Sequence, residues 1–159
     1  MTEIMKLCAV KEEQVRSQIE DLMKAEGNLT LTMKTLPGEV HLQISSKGED
    51  KETRKERKAL IRELKLRFGA SIYTTEPDKH LENVVVELLQ NQGLTVTTVE
   101  SCTGGALSAR IVDVPGASSV FKQGFVTYSN KAKKRYAMVK KSTLKKHGAV
   151  SEKCAKEMA

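Results

Sequence analysis

The sequence lacks several features that would define a protein class at once. It has no tryptophan, and aromatic residues make up 4% of its 159 residues, so aliphatic side chains must build the core. No stretch approaches the roughly 20 apolar residues of a membrane helix, and the first residues lack the apolar region of a signal peptide. Three cysteines (Cys8, Cys102 and Cys154) lie far apart without a CxxC pair. We therefore expect a cytoplasmic protein in a reducing compartment, with no disulfide framework, metal site, cofactor or membrane partner.

The first half of the chain has no net charge, and the whole positive excess lies in the second half. Through Asp78 the sequence has 14 Lys and Arg against 14 Asp and Glu, whereas from Lys79 onward it has 13 against 6. Eight of these cations fall between Lys131 and Lys146, with no acid among them. Such a block can attract phosphate or nucleic acid, so a non-catalytic adaptor that uses these cations is the alternative function. A solvated helix face is the better explanation for most of the block, so nucleic acid is not the expected partner.

A polar segment around Pro77 divides the chain into two predicted domains, residues 1–77 and 78–159. In the first, hydrophobic periodicity predicts the order α-β-β-α-β, a small α+β domain. The predicted helices are 11–24 and 51–68, and the predicted strands are 29–33, 40–44 and 71–73. Side chains expected to face the core are Val15, Ile19, Leu22, Met23, Leu60, Ile61, Leu64 and Phe68. His41 falls on the polar face of its strand and is expected at the surface.

The second domain alternates helices with strands, which predicts an α/β fold of three layers around a mostly parallel sheet. The predicted strands are 94–99 and 124–128, and the predicted helices are 81–90, 103–112, 130–138, 142–146 and 151–158. In open parallel sheets, ligands bind where strands end and helices begin. The turns that follow the two strands are therefore the places to look for a site.

The first of these turns presents Ser101 at the end of a strand. A helix beginning near Thr103 would leave the N–H groups of Thr103, Gly104 and Gly105 free to stabilise an oxyanion or a phosphate. The alternative is structural, because serine is also a common helix N-cap. Cys102 is a rival nucleophile, since a helix N-terminus favours the thiolate. Sequence spacing does not choose between them.

A serine hydroxyl needs a base, and the turn after the second strand supplies lysines. A lysine in the first turn of a helix lies near the positive end of the helix dipole, which favours its neutral form. Such a lysine can act as a general base, with Tyr128 as a hydrogen-bonding relay. The structural alternatives are an exposed helix lysine and a core tyrosine.

Four segments together carry a family resemblance. They are Glu100-Ser-Cys-Thr-Gly-Gly105, Val114-Pro-Gly-Ala-Ser118, Tyr128-Ser-Asn-Lys-Ala-Lys133 and His147-Gly-Ala-Val-Ser-Glu152. In this order and spacing they resemble the C-terminal domain of the CinA (competence/damage-inducible protein A) family over about residues 80–159. The first domain resembles, more weakly, the KH-like middle domain of full-length members. It has no GxxG loop, so RNA binding is not implied.

The resemblance implies an amidohydrolase that converts nicotinamide mononucleotide to nicotinate mononucleotide and ammonia, without a cofactor, and in a homo-oligomer. By the same resemblance Ser101 is the nucleophile, Lys133 the general base and Tyr128 its neighbour. Glu100, Thr103, Gly104, Gly105 and Asn130 are then expected to shape the site and bind substrate. Family C-terminal domains continue beyond the position of Ala159, so we expect a truncated chain with weak activity or none.

Overall fold

The computed structural model describes residues 2–23 and 27–159 and divides the chain into two compact units, Met1–Leu81 and Glu82–Ala159. Residue 77, where the sequence predicted a boundary, lies in the segment that links the last strand of the first unit to the first helix that follows. Among the described residues, no helix combines the length and the apolar composition that crossing a bilayer requires.

The first unit is an antiparallel sheet with two helices. Its strands are β1 (Thr2–Cys8), β2 (Leu29–Leu36), β3 (Glu39–Ser46) and β4 (Ile72–Thr74), in the order β2-β3-β1-β4. Its helices are α1 (Glu12–Met23) and α2 (Lys51–Phe68), the second with the predicted bounds. The predicted order α-β-β-α-β is wrong because it omits β1, which pairs with both β3 and β4. The missed signal was the short alternation that buries Met5 and Leu7.

An aliphatic core joins the sheet of this unit to its helices. Val15, Ile19, Leu64 and Phe68 are buried, and Leu22, Leu60 and Ile61 pack against them, as predicted. Met23 is 41% exposed, so its predicted burial is wrong; the last turn of α1 carries it beyond the sheet-facing stripe. The predicted helix end at Lys24 lies outside the described residues. His41 is less exposed than predicted, with 14% of its side chain accessible and its Nε2 3.1 Å from the Glu39 carboxylate.

The second unit contains two parallel strands and five helices in the described residues. The strands are β5 (Val96–Glu100) and β6 (Phe121–Val126), paired from Val96↔Phe121 to Glu100↔Val126. The helices are α3 (Leu81–Gln92), α4 (Ala106–Val112), α5 (Asn130–Tyr136), α6 (Lys141–His147) and α7 (Glu152–Met158). The predicted parallel pairing is confirmed. Both strands begin and end a few residues away from their predicted bounds, because sequence patterns locate element ends poorly.

Helices cover both faces of β5, which confirms the layered α/β arrangement. On one face, Val96 joins an apolar cluster with α3 and α4 residues, including Val86 and Ile111. On the other, Val99 packs against a cluster formed by Ala137, Val139 and Cys154. Side chains alternate along a strand, so neighbouring residues of β5 serve the two layers in turn.

A glycine permits the close approach of α4 to the sheet. A Cβ atom at Gly124 of β6 would lie 2.7 Å from Thr98 Oγ1, 2.8 Å from Ser108 Oγ and 3.0 Å from Phe121 Cζ. These two hydroxyls are hydrogen-bonded to each other at 2.7 Å. The missing side chain therefore leaves room for a polar contact between the helix and β5.

Candidate active site

Two neighbouring strand ends carry the central residues of the site. Ser101 follows β5 and Thr127 follows β6, and parallel strands bring their carboxyl ends to the same edge of the sheet. The backbone N–H of Thr127 donates to the Glu100 carbonyl over 2.7 Å, and the Thr127 hydroxyl donates to the same oxygen over 3.3 Å. The two ends are thus joined directly beside Ser101.

Helix α5 places Lys133 beneath Ser101. Its N-cap is Ser129, whose hydroxyl accepts from the Ala132 N–H over 3.0 Å, so Lys133 lies one turn into the helix. The lysine is 2% exposed. Its Nζ donates to Ser101 Oγ over 2.6 Å and to the Thr127 carbonyl over 2.7 Å, with the Tyr128 carbonyl at 3.5 Å. The structure therefore brings together the predicted nucleophile and the predicted base.

The surroundings of the amine orient it toward the hydroxyl. A charged lysine has three N–H donors, whereas a neutral one has two donors and a lone pair. The carbonyls of Thr127 and Tyr128 can take two donors, which directs the third position of Nζ at Ser101 Oγ. In the neutral state that position is a lone pair able to receive the serine proton. The arrangement can therefore activate a serine without a histidine.

Glu100, predicted to shape the site and bind substrate, is 5% exposed and bonded to the start of α4. Its carboxylate accepts from the Leu107 N–H and the Ser108 N–H, both over 2.9 Å, and from Ser108 Oγ over 2.6 Å. The Ser108 hydroxyl, followed by the two backbone N–H groups and the Thr103 hydroxyl, lowers the pKa of Glu100 to about 2 against the opposing effect of burial. The carboxylate is therefore ionised, and its oxygens are hydrogen-bonded to groups of the protein itself.

The turn between Ser101 and α4 differs from the predicted helix start. Helix α4 begins at Ala106, three residues later than predicted, because Gly104 and Gly105 adopt positive φ angles of 61° and 103°. The Gly104 N–H donates to the Ser101 carbonyl over 3.0 Å, so the expectation that it is free for a ligand is wrong. Among the hydrogen bonds of the described residues, the N–H groups of Thr103 and Gly105 donate to no acceptor, as predicted, and neither does the N–H of Cys102. These groups are available to an oxyanion.

A cavity of about 640 Å³ opens beside Ser101 and Lys133, within the range typical of small-molecule sites. It is lined by Thr97, Val99, Ser101, Cys102, Lys133, Ala149, Val150, Ser151, Glu152, Ala155, Met158 and Ala159. The wall formed by residues 149–159 was not predicted as part of the site. One signal for it was present, because residues 149–152 belong to one of the four segments that carry the family resemblance.

Other predicted residues lie at the margin of this geometry. The Tyr128 side chain is 75% exposed, which excludes a core position. Among the hydrogen bonds of the described residues, Tyr128 contributes its backbone carbonyl to Lys133. Asn130 is the exposed first residue of α5, and Cys102 is an exposed free thiol at the cavity.

Seven of the eight cations between Lys131 and Lys146 are exposed, and Lys133 is the buried exception. The basic block is thus mostly solvent-exposed, and among its cations only the side chain of Lys133 lies in the interior. Across residues 2–23 and 27–159, no group of three or more His, Cys, Asp and Glu side chains could hold a metal ion.

Comparison with protein families decides the relationship that the four segments indicated. The family model of the CinA C-terminal domain matches residues 78–159, and that of the damage-inducible protein CinA KH domain matches residues 2–74. The chain belongs to the CinA family. The Ser101–Lys133 pair and its cavity lie wholly in the part that matches the CinA C-terminal domain.

Relatives of the CinA family match nearly the whole chain. A putative competence-damage inducible protein of Caldanaerobacter subterraneus subsp. tengcongensis is 42% identical over 156 residues, covering 98% of this chain and 37% of the relative. A CinA-like protein of Dictyoglomus turgidum is 38% identical, covering 99% of this chain and 38% of the relative. The chain therefore spans less than two fifths of the length of these relatives.

A solved structure agrees with the family assignment. The crystal structure of a competence-damaged protein (CinA) superfamily protein from Escherichia coli is 32% identical, with a TM-score of 0.50, and the match covers 57% of this chain and 55% of that one. The mixed α/β fold is thus shared with a CinA superfamily protein.

Proposed function

We propose that this chain carries the catalytic pair of a serine–lysine amide hydrolase that acts on nicotinamide mononucleotide. The observation that supports it is the 2.6 Å contact between Lys133 Nζ and Ser101 Oγ, in a buried setting beside a cavity. The family resemblance supplies the substrate. The products are nicotinate mononucleotide and ammonia.

The chemistry follows from the position of each atom. Neutral Lys133 accepts the Ser101 proton while Oγ attacks the amide carbon, and a tetrahedral oxyanion forms. The N–H groups of Cys102 and Thr103 stabilise this oxyanion. The C–N bond then breaks, and the proton on Lys133 passes to the departing nitrogen, which leaves as ammonia. Water, deprotonated by the same lysine, hydrolyses the resulting ester and restores Ser101.

The cavity suits one end of such a substrate. Val99, Val150, Ala155 and Met158 give it apolar walls, against which a flat pyridine ring can pack. The excess of lysine and arginine from residue 79 onward attracts an anionic phosphate group toward this unit. Both features favour a nucleotide that bears an aromatic amide.

The test is ammonia release from nicotinamide mononucleotide by the 159-residue chain and by its Ser101→Ala and Cys102→Ala variants. We expect slow turnover, so the variants are compared with the wild type and with a protein-free blank. Ser101→Ala should fall to the blank because, among the described residues, no other hydroxyl and no thiol is hydrogen-bonded to Lys133 Nζ. Cys102→Ala should keep at least half of the activity.

The same assay separates the two nucleophiles that the sequence left open. Retained activity in Ser101→Ala together with a loss in Cys102→Ala would make the thiol the nucleophile and overturn the proposal. Mass spectrometry after acid quenching adds a direct readout when the labelled peptide is fragmented, since the acyl group should be assigned to Ser101 and not to the adjacent Cys102. Salt-dependent nucleic-acid binding without ammonia release would support the adaptor function instead.

A further inference from the structure

Glu100 precedes the proposed nucleophile in the chain, yet its side chain points away from the cavity chemistry. Its carboxylate is held by donors from the turn and the first residues of α4, and Glu100 is absent from the residues that line the cavity within the described chain. We propose that Glu100 is the positioning residue of the Ser101–Lys133 pair. The inference rests on the proposed function because its test measures turnover. The argument for it comes from the hydrogen bonds of Glu100.

Two anchors hold Glu100, one at each end of the residue. Its carbonyl accepts from the Thr127 N–H over 2.7 Å, which fixes it to the end of β6. Its carboxylate accepts three bonds of 2.6 to 2.9 Å from Leu107 and Ser108, which fixes the same residue to α4. Ser101 follows at once, so its backbone has little freedom to move relative to either element.

The base is tied to the same anchor. The carbonyl of Thr127, whose N–H holds Glu100, accepts from Lys133 Nζ over 2.7 Å. The path from Ser101 to Lys133 therefore runs through Glu100 and Thr127 and is closed by the direct 2.6 Å contact. A shift of Glu100 moves the hydroxyl while the amine remains on Thr127, which lengthens the contact that activates Ser101.

Glutamate suits this role because its ionised carboxylate accepts from every donor around it. The amide of a Glu100→Gln variant has the same length, but one of its two polar atoms is a donor. That NH₂ group would face the Leu107 N–H or the Ser108 donors, so at least one bond becomes a clash between donors. We expect the turn to relax by a fraction of an ångström up to about 1 Å, a displacement that can reduce turnover about 100-fold.

A matched control exists in the same unit. Glu157 also binds a helix start, accepting from the Lys140 N–H over 2.9 Å and from Thr143 Oγ1 over 2.7 Å. It holds α6, and within the described residues it neither lines the cavity nor bonds to Ser101 or Lys133. Glu157 is less buried than Glu100 and accepts two bonds instead of three, so Glu157→Gln perturbs a carboxylate at a helix start with a smaller cost to folding and no expected effect on the position of Ser101.

The experiment measures kcat and KM for nicotinamide mononucleotide and, separately, the rate at which a fluorophosphonate probe labels Ser101. For Glu100→Gln we expect kcat and the labelling rate both to fall about 10- to 100-fold, with KM changed less than about twofold. Glu157→Gln should match the wild type in all three. Circular dichroism shows whether each variant is folded. If Glu100→Gln does not fold, Ser108→Ala is measured in its place. This variant removes one donor to the Glu100 carboxylate and should lower kcat and the labelling rate by a smaller factor.

The outcomes distinguish this inference from the proposed function. A wild-type chain that labels at Ser101 but releases no ammonia would refute the substrate and leave the labelling comparison to decide the role of Glu100. A folded Glu100→Gln variant with kcat and labelling within twofold of wild type would overturn the inference. A KM raised more than tenfold at unchanged kcat would overturn it too, because that is the signature of a substrate contact. No labelling of wild-type Ser101 would overturn both.

Discussion

Each of the two units buries one lysine among the described residues, and the two lysines have different partners. Lys6, 3% exposed, donates to the carbonyls of Pro77 and Lys79 over 2.6 and 2.8 Å. Lys133, 2% exposed, donates to carbonyls and also to the Ser101 hydroxyl. A buried amine that is bonded only to carbonyls can hold two segments of the chain together. A buried amine that is also bonded to a hydroxyl can in addition accept a proton from it. Burial alone therefore does not indicate that a lysine is a general base. The indication is a hydrogen bond between the amine and a group that can give up a proton.

The interiors of the two units also differ in how apolar and polar residues are distributed. The first has one apolar core of ten buried residues spread over its sheet and both helices. In the second, the apolar residues form two smaller clusters, and buried polar residues lie close to the Ser101–Lys133 pair. Glu100, Thr127 and Lys133 are all buried there and bonded to one another or to adjacent backbone. The first unit thus shows how this chain builds a stable core, and the second how it retains polar groups for a site.

Replacing each lysine by methionine tests the comparison most strongly. Lys133→Met keeps an unbranched side chain and removes the base, so ammonia release should fall about 10²- to 10⁴-fold. Lys6→Met should leave kcat within about twofold but lower the free energy of unfolding by about 1–3 kcal/mol, since two carbonyls lose their buried donor. Steady-state kinetics and urea unfolding measure the two effects. An equal loss of kcat in both variants would contradict the distinction.

A smaller effect is expected from adding one methyl group at a glycine of each unit. Gly124→Ala would place Cβ 2.7 Å from Thr98 Oγ1, so overpacking should cost about 1–3 kcal/mol of stability. Gly27→Ala meets no atom within 4 Å and should change stability by less than about 0.5 kcal/mol. Urea denaturation followed by circular dichroism gives both values. A neutral Gly124→Ala would show that α4 can move away from the sheet.

The smallest expected effect is a change of pKa with salt. It compares two glutamates, one in each unit, whose pKa values are lowered by different interactions. The pKa of Glu49 is lowered to about 2 chiefly by the Arg57 guanidinium, which contacts it at 2.6 Å. The pKa of Glu100 is lowered to about 2 chiefly by the Ser108 hydroxyl and by backbone N–H groups. Both carboxylates are easier to ionise in the folded state. Their stabilisation is therefore fully present above the unfolded pKa of 4.5 and is lost as the pH falls from there toward 2.

Salt separates the two carboxylates. Raising the salt concentration from 0.1 to about 1 M shortens the screening length roughly threefold, which weakens an ion pair more than neutral hydrogen bonds. The pKa of Glu49 should rise measurably with salt, while that of Glu100 should stay nearly constant. Carboxyl ¹³C shifts followed by NMR during an acid titration report each residue. A salt-induced rise at Glu100 as large as that at Glu49 would indicate a cation near Glu100.

Several features could be predicted from the sequence because they depend on local patterns. The 3.6-residue period and the Gly69 that follows it predict the bounds of α2 to the residue, and the structure adds Asp50 as its N-cap. Two strands, each followed by a turn and a helix, predict that Ser101 and the lysines after the second strand lie at one edge of a parallel sheet. The contact of 2.6 Å between Ser101 and Lys133 agrees with that prediction. The strand β1 was missed because its alternation is short, with Met5 and Leu7 on either side of Lys6. The burial of Lys6 could not be predicted locally, because it depends on the distant carbonyls of Pro77 and Lys79.

What the sequence by itself determined was the kind of residue available at each strand end: a serine after β5, a lysine one turn into α5, and glycines between Ser101 and α4. Periodicity and turn chemistry are properties of neighbouring residues, so they can be read along the chain. Only the tertiary structure decided which lysine lies buried against the hydroxyl, which N–H groups of the turn are already bonded, and that Glu100 faces α4. The buried lysine and the direction of Glu100 depend on bonds between residues 7 to 32 positions apart, whose geometry is set by how strands and helices pack. The bonded N–H of the turn belongs to Gly104 and joins residues three positions apart, in a turn whose glycines adopt positive φ angles.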